Sequence, residues 1–311
     1  MANILLTGAS GYLGGSILAQ LHNSGDGGIE LPAHGTIYAL VRSDAQAQAV
    51  QDYGAKPAAF DPGDEAAIED FIMDHKVSIV IWFIDVVNVD RQILFIRALA
   101  KLRQQTGKDV HFLQAVGTNN TIIALAEELG VKSYIIAPCI VYGKGLGFGN
   151  QISAQTVAIV RAAKEAKRVY RVDDNSPTWP VCHIRDNTSL YIHLLATILS
   201  ESRNPGHGKQ GYYLPSPGSI VWDDLYSRMA AALAKKGIVD GEQTTLADDE
   251  ALEAMGRGLK CPKAFVRVQL AGKCTLTPKN GKESLGWVPN FTPEHILETA
   301  EAEVELILKH I

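Results

Sequence analysis

Three glycines near the start of the chain have the spacing of a phosphate-binding turn. Gly8, Gly11 and Gly14 follow a short apolar run at residues 4–6 and open a segment with helical apolar spacing. The order strand, glycine turn, helix is typical of units that bind a dinucleotide pyrophosphate at a helix N-terminus. A glycine turn without a ligand is the alternative. The candidate binding residues are Thr7, Gly8, Ser10, Gly11, Tyr12, Leu13 and Gly14.

The end of the second predicted strand indicates which dinucleotide binds. An NAD site needs a carboxylate there for the ribose hydroxyls, whereas an NADP site needs a cation for the 2′-phosphate. Arg42 and Ser43 stand at this position, and the first acidic residue, Asp44, comes two positions after Arg42. The sequence therefore favours NADP(H) over NAD(H), with a solvated surface arginine as the alternative for Arg42.

Strand and helix patterns alternate through the first half of the chain. Apolar runs at 36–41, 57–60, 77–83, 110–113 and 133–137 are separated by helical patterns at 45–53, 65–75, 91–105 and 120–129. This alternation predicts an α/β fold with a Rossmann-type doubly wound parallel sheet.

The second half predicts a smaller C-terminal substrate lobe, reached through a flexible glycine run at 143–149. We expect helices at 151–168, 222–236 and 293–310 and a rigid loop at 177–180. The nucleotide-binding domain is expected at residues 1–145, with residues 170–200 returning to it. Residues 146–311 are then mainly the substrate-binding lobe.

Five motifs carry a family resemblance. They are T-G-A-S-G-Y-L-G at 7–14, F-D-P-G-D at 60–64, A-P-C-I-V-Y-G-K-G at 137–145, P-V-C-H-I-R-D-N at 180–187 and L-G-W-V-P at 285–289. In this order they resemble the extended or atypical short-chain dehydrogenase/reductases, which include the NAD-dependent epimerase/dehydratases. The resemblance implies that Asp61 faces the adenine and that Ile84 and Pro138 flank the ribose and nicotinamide. Trp179 and His183 are candidate substrate contacts, with a packed structural role as the alternative.

The family's chemistry depends on a Tyr-x-x-x-Lys pair, whose phenol exchanges a proton with the substrate oxygen. None of the ten tyrosines has a lysine four residues later. The resemblance predicts that a segment is missing near Gln114, where the pair is expected. A deletion, a variant form of the chain, or a sequence recorded only from ordered residues would each account for this. The last of these predicts that Gln114 and Ala115 are not bonded to each other, and no catalytic residue is assigned.

Composition and charge exclude other classes of function. The 311 residues are 46% hydrophobic, and their net charge of -5 does not favour nucleic acid. No apolar run reaches the ~20 residues of a membrane span, and the apolar run directly after Met-Ala-Asn leaves no room for a signal peptide. We therefore expect a cytoplasmic protein. Four widely separated cysteines predict free thiols and no metal site: Cys139, Cys182, Cys261 and Cys274.

Together these features predict an NADPH-dependent oxidoreductase that acts on a carbonyl or alcohol group of a small organic metabolite. Two alternatives stay open. A non-catalytic NADP(H)-binding regulator would need no Tyr-x-x-x-Lys pair, and a redox-neutral epimerase or dehydratase would be better served by tightly held NAD. The expected partner is a small-molecule substrate, and a homodimer is one assembly that the sequence allows.

Overall fold

The computed structural model describes residues 1–23, 30–85, 89–115, 119–137, 139–200, 204–270 and 278–311. Strands and helices alternate through the first half as predicted. They are β1 (Asn3–Leu6), α1 (Tyr12–His22), β2 (Ile37–Leu40), α2 (Asp44–Asp52), β3 (Lys56–Ala58), α3 (Glu65–Asp74), β4 (Val77–Trp82), α4 (Asp90–Thr106), β5 (His111–Ala115), α5 (Asn119–Leu129) and β6 (Lys132–Ile136).

The second half is richer in helix and has only short strands. Its elements are β7 (Ile140–Tyr142), α6 (Gln155–Ala166), β8 (Tyr170–Arg171), β9 (Thr178–His183), α7 (Ile184–Ser200), a 3-10 helix (Gly208–Gln210), β10 (Tyr212–Tyr213), β11 (Gly218–Val221), α8 (Trp222–Lys235), β12 (Thr245–Leu246), α9 (Asp249–Leu259), α10 (Lys263–Leu270), α11 (Asn280–Leu285), α12 (His295–Glu298) and α13 (Ala300–Leu308).

The described residues form a seven-stranded central sheet in the order β3-β2-β1-β4-β5-β6-β10, and every pairing in it is parallel. The strand order reverses between β1 and β4. At such a reversal the connecting helices leave towards opposite faces of the sheet, which opens a crevice at the carboxyl ends of the two strands. The predicted doubly wound α/β fold is confirmed.

Apolar side chains bury both faces of this sheet, as the continuous apolar strands require. On one face, α1 and α7 pack over β1, β4 and β6 through residues such as Ile17 and Leu194. On the other, α3, α4 and α5 cover β1, β4 and β5 through Ile68, Phe95 and Ile122. Strand β4, which is buried except at Ser78, runs through the middle of the sheet.

A separate apolar cluster holds the C-terminal lobe together. It is formed mainly by α6, α8, α9 and α13, with Trp222 and Met229 among its buried members. Two small sheets belong to this half, one in the order β11-β9-β7 and one that pairs β12 with β8. Helix α7 and strand β10 return to the central sheet, because α7 packs on α1 and β10 pairs with β6.

Three predicted segments differ in the structure. The helix expected at 151–168 begins only at Gln155, because the Asn150 side chain closes a turn with both backbone groups of Ile152. The helix expected at 293–310 is divided into α12 and α13. At the break, the Thr299 hydroxyl donates at 2.8 Å to the His295 carbonyl, which already accepts the Thr299 amide hydrogen at 3.0 Å, and side-chain bonds of this kind bend a helix.

The loop expected at 177–180 is mostly strand, since β9 begins at Thr178. Pro180 fits there because its neighbour in register is on β11 alone, while the pairing with β7 starts at Val181. A proline without an amide hydrogen is tolerated where one side of a strand is unpaired.

No helix within the described ranges is long and apolar enough to cross a membrane. Those ranges also contain no group of three or more His, Cys, Asp or Glu side chains placed to hold a metal ion. Cys139, Cys182 and Cys261 are free thiols, and Cys274 lies outside the described residues.

Candidate functional site

The turn between β1 and α1 lies at the point where the strand order reverses. Thr7 ends the strand in full burial, and its hydroxyl accepts the amide hydrogen of Phe83 at 2.8 Å. This bond ties the end of β1 to the end of β4. Gly8 follows with a φ of +69°, a left-handed conformation that glycine adopts without strain.

The two later glycines allow close approaches at the start of α1. A Cβ on Gly14 would lie 2.4 Å from the carbonyl oxygen of Gly8, so only glycine lets α1 pack this closely on the turn. Gly11 is the N-cap residue, and no side chain caps the helix there. The first amide groups of α1 therefore remain available to an anion at the helix N-terminus.

A cleft of ≈ 600 Å³ opens beside this turn, between the central sheet and the C-terminal lobe. Phe83, Ala115 and Cys139 form its floor beyond the carboxyl ends of β4, β5 and β6, and the start of α6 forms the opposite wall. The full set of lining residues is Gly8, Gly11, Tyr12, Leu13, Gly14, Phe83, Ala115, Cys139, Val141, Asn150, Ile152, Ser153, Ala154, Gln155, Val157, Arg161 and Gln269.

The residues predicted to select the dinucleotide lie at the end of β2, beside the glycine turn. Arg42 is exposed, and the Ser43 hydroxyl accepts the amide hydrogen of Gln46 at 3.3 Å as the N-cap of α2. Gln46 joins the two regions, since its Oε1 accepts the Arg42 amide at 2.8 Å and its Nε2 donates to the Ser10 hydroxyl at 3.1 Å. Sequence reasoning missed Gln46, although Ser43 and Gln46 have capping-box spacing.

Three residues placed by resemblance lie away from the cleft lining or outside the described residues. Asp61 is exposed, and its Oδ1 accepts the amide hydrogen of Gly63 at 2.8 Å in the loop before α3. Ile84 follows β4 and packs against the apolar cluster under α4. Pro138 lies outside the described residues.

The glycine run at 143–149 packs against α1, so the prediction of a flexible connection is wrong. The Tyr12 hydroxyl donates to the Gly143 carbonyl at 2.7 Å, and the Asn150 amide donates to the Ser10 carbonyl at 2.9 Å. A Cβ on Gly149 would lie 2.1 Å from that same carbonyl oxygen. These glycines therefore allow close backbone approach rather than mobility. Burial of the Tyr12 hydroxyl raises its pKa well above the ordinary value for tyrosine.

The structure does not bring Trp179 and His183 to the cleft. Trp179 packs on Trp222 with ring centres 5.5 Å apart. His183 lies 4.1 Å from the ring of Phe291 and beside His295; burial, with a smaller contribution from His295, lowers its pKa to about 4. Of the two alternatives for these residues, their contacts are those of the packed structural role.

Strand β5 runs without a break through Gln114 and Ala115, which pair in register with Ile135 and Ile136. The prediction of a gap between these two residues is wrong, because both belong to one ladder. Gln114 is fully buried, and neither polar atom of its side chain has a hydrogen-bond partner among the residues that the structure describes. The connection from β5 to α5 at 116–118 lies outside the described residues.

Comparisons with known proteins identify the fold. No protein-family model and no curated protein matches this sequence. Among solved structures, UDP-glucose 4-epimerase from Bifidobacterium longum, in complex with NAD+ and UDP, is similar over 99% of both chains at 13% identity and a TM-score of 0.62. A monomeric L-threonine 3-dehydrogenase from a metagenome database is similar over 98% of this chain and 99% of its own, at 15% identity and a TM-score of 0.60.

A third similar structure is dTDP-glucose 4,6-dehydratase from Bacillus anthracis in complex with NAD. It matches 100% of this chain and 97% of its own, at 13% identity and a TM-score of 0.61. All three match nearly from end to end, so the shared architecture includes the C-terminal lobe as well as the sheet. The chain therefore has the fold of the extended short-chain dehydrogenase/reductases of the NAD-dependent epimerase/dehydratase type.

Proposed function

We propose that the chain binds NADP(H) across the carboxyl ends of β1 and β4 and acts as an oxidoreductase on a carbonyl or alcohol group of a small organic molecule. The uncapped N-terminus of α1, beside the three glycines, is the observation that carries the proposal. Its free amide groups and the helix dipole suit a pyrophosphate. A nicotinamide ring bound in the adjoining cleft would donate or accept a hydride.

The residues at the end of β2 support NADP(H) rather than NAD(H). The exposed Arg42 offers a guanidinium to a 2′-phosphate, and the Gln46 amide adds a donor beside it. Ser43 caps α2 as an acceptor, so its hydroxyl hydrogen remains available to donate to a phosphate oxygen. An NAD site would need a carboxylate here to accept from the ribose hydroxyls. The last residue of β2 and the two that follow it are instead Leu40, Val41 and Arg42.

The far wall of the cleft supports a small substrate that carries an anionic group. Among the described residues that line the cleft, Arg161 alone is charged, and Asn150, Gln155 and Gln269 are polar. Ser153, just before α6, and Tyr12 on α1 supply the remaining polar side chains of the lining. A carboxylate or phosphate on the substrate would pair with Arg161, while its reacting oxygen lies nearer the sheet.

Two observations favour a second candidate, a non-catalytic NADP(H)-binding protein. The sequence holds no Tyr-x-x-x-Lys pair, and β5 is continuous at Gln114 and Ala115. A redox-neutral reaction is the third candidate, since two of the similar structures are an epimerase and a dehydratase in complex with NAD+ or NAD. The predicted preference for NADP(H) argues against it.

Calorimetric titration of NADPH and NADH tests the binding part of the proposal. We expect tighter binding of NADPH, and Arg42→Ala should remove most of that preference, roughly 1–3 kcal/mol for lost charge-assisted hydrogen bonds. Arg97→Ala removes an exposed arginine from α4 and is the matched control. Equal affinities for the two nucleotides in the unmutated protein would contradict the NADP(H) assignment.

Turnover of NADPH distinguishes the oxidoreductase from the binding protein. The probes are a 2-keto acid, an aldehyde bearing a phosphate, and a neutral ketone, each mixed with NADPH while its absorbance is followed. An oxidoreductase with an anion-pairing cleft consumes NADPH faster with the anionic probes. NADPH binding without consumption across all three supports the non-catalytic candidate instead.

A further inference from the structure

A buried carboxyl group lies behind the wall of the cleft. Glu303 on α13 is 5% exposed. Its Oε2 accepts the amide hydrogen of Gly143 at 3.0 Å, and its Oε1 accepts the hydroxyl hydrogen of Thr156 at 2.7 Å. Within the described part of the chain, no lysine or arginine forms an ion pair with this carboxyl. A buried acid without a cation is costly to keep ionised, so burial raises its pKa, although both hydrogen bonds lower it.

Two hydroxyls connect this carboxyl to the cleft. Thr156 stands in the first turn of α6 and is hydrogen-bonded through its hydroxyl to the hydroxyl of Ser153. Ser153 lines the cleft together with Ala115 and Cys139. Since the single hydroxyl hydrogen of Thr156 goes to Glu303, Ser153 must donate to Thr156. Ser153 then keeps a lone pair for a hydroxyl hydrogen that approaches from the cleft.

We propose that Glu303 exchanges a proton, through Thr156 and Ser153, with the oxygen of an alcohol or carbonyl compound held in the cleft. The proposal rests on the proposed function, because it supplies the proton step that an oxidoreductase needs. It assigns that step to side chains other than the absent Tyr-x-x-x-Lys pair. Ser153 is the residue that touches the substrate, and Thr156 and Glu303 act through it.

The proton moves in three linked transfers when an alcohol is oxidised. The substrate O–H breaks and its proton bonds to Ser153 Oγ, the Ser153 hydrogen passes to Thr156 Oγ1, and the Thr156 hydrogen passes to Glu303 Oε1. The electron pair of the O–H bond forms the second bond of the carbonyl. A nicotinamide bound in the cleft would accept the hydride that the substrate carbon gives up with the electron pair of its C–H bond. Reduction of a carbonyl runs the same transfers backwards and leaves Glu303 ionised.

The other ionisable groups around Glu303 do not take over this role. Tyr12 on α1 and Tyr142 on β7 face it, and burial raises the pKa of both well above the ordinary value. On the exposed side of α13, Lys235 and Lys236 of α8 pair with Glu301 and Glu305. Among these groups Glu303 is therefore the carboxyl whose protonated form burial favours.

A purely structural role is the competing explanation, since the Glu303 carboxyl also joins α13 to the first turn of α6 through Thr156 and to Gly143. The two roles differ in how the protonation of Glu303 responds to the cleft. A purely structural carboxyl keeps its charge when a ligand binds. A proton store connected to the cleft loses its proton when positive charge enters, and the oxidised nicotinamide ring carries such a charge while the reduced ring does not.

The experiment counts protons released on binding of NADP+ and of NADPH. Titrations in two buffers of different ionisation enthalpy give the count, and the 2′-phosphate contributes equally to both nucleotides. We expect NADP+ to release more protons than NADPH, with a difference of up to about one per site between pH 5 and 8. Glu303→Gln should abolish the difference while both nucleotides still bind. Glu301→Gln, on the exposed side of the same helix, should leave it unchanged.

A kinetic measurement tests the connection itself. With a pH indicator in a stopped-flow mixer, proton release should keep pace with NADP+ binding in the unmutated protein and lag behind it in Thr156→Val. Thr156→Ser restores the hydroxyl and should restore the rate. These two variants carry the test if Glu303→Gln does not fold. Equal proton counts for the two nucleotides, or an unchanged rate in Thr156→Val, overturn the relay alone. Failure of both nucleotides to bind overturns the proposed function and the relay with it.

Discussion

Alanine at Gly11 and alanine at Gly14 should separate nucleotide binding from folding. At Gly14 the new methyl group would stand 2.4 Å from the carbonyl oxygen of Gly8 and 3.2 Å from that of Thr7. Both neighbours are backbone atoms, so α1 must move away from the turn. Overpacking of this kind costs about 3 kcal/mol at its upper range, and the helix propensity of alanine returns about 1 kcal/mol. We therefore expect Gly14→Ala to lower the free energy of unfolding by about 2 kcal/mol.

At Gly11 the same methyl group costs the fold much less. Its contact within 4 Å is the carbonyl oxygen of Gly8 at 3.1 Å, and the φ of -84° is open to any residue. Alanine is a poorer N-cap than glycine by about 1 kcal/mol or less. The methyl group would stand, however, at the helix N-terminus where the pyrophosphate is proposed to bind. Loss of two charge-assisted hydrogen bonds would weaken NADPH binding by about 3 kcal/mol, a factor of about a hundred.

Urea denaturation and calorimetric titration of both variants check this reasoning. The expected pattern is a stable Gly11→Ala that binds poorly and a destabilised Gly14→Ala. Gly11→Val should abolish binding altogether, with only a modest further loss of stability. Normal NADPH affinity in either Gly11 variant would place the nucleotide elsewhere. Unchanged stability of Gly14→Ala would refute the packing argument.

Three further outcomes are expected. Gln46→Glu should shift the preference from NADPH towards NADH by about 1–2 kcal/mol in calorimetric titrations, because the new carboxylate repels a 2′-phosphate and accepts from a ribose hydroxyl. An unchanged ratio of the two affinities would contradict this prediction. Gln114→Met should raise the free energy of unfolding by about 1–3 kcal/mol, because it removes two buried polar atoms that lack partners among the described residues. The control, Gln151→Met, removes an amide that donates to the Gly147 carbonyl and should lower the free energy of unfolding. The free energy of unfolding should fall as the pH falls from 6.5 towards 4, because burial lowers the pKa of His111 from 6.5 to about 4 and only the unfolded chain takes up the proton in this range. His111→Gln should remove about 3 kcal/mol of this loss. The same pH dependence of stability in the variant and the unmutated protein would contradict the assignment.

The parts of the fold that follow local rules could be predicted from the sequence. Continuous apolar runs mark β1 and β4 because both faces of the central sheet are covered, and the glycine spacing marks the turn because the backbone itself makes the contacts there. Each of these signals lies within a few consecutive residues. Sequence therefore predicted the doubly wound sheet, which the structure confirms.

The wall of the cleft could not be predicted in this way. Thr156 and Glu303 are 147 positions apart in the chain and meet only because α6 and α13 pack in one lobe. The sequence signal at Glu303 is one acid on a helix with several others, which usually indicates an exposed face. For Trp179 and His183, which were candidate substrate contacts, the difficulty is the opposite one. Their residue types suit a binding site, but neighbouring aromatic rings take up both side chains.

The chain departs from the pattern of the resembled family at the carboxyl ends of β4 and β5. The sequence lacks the tyrosine and lysine expected after β5, and the structure leaves buried polar atoms without partners at the end of that strand. Within the described ranges, the Trp82 indole nitrogen and both polar atoms of Gln114 have no hydrogen-bond partner, and these two residues are direct neighbours in the ladder between β4 and β5. Unpaired buried polar atoms cost about 1–3 kcal/mol each, so this edge is the least satisfied part of the described sheet. The glycine turn at β1, by contrast, keeps the close backbone approaches on which the proposed nucleotide site depends, so the proposed binding and the proposed chemistry can be tested separately.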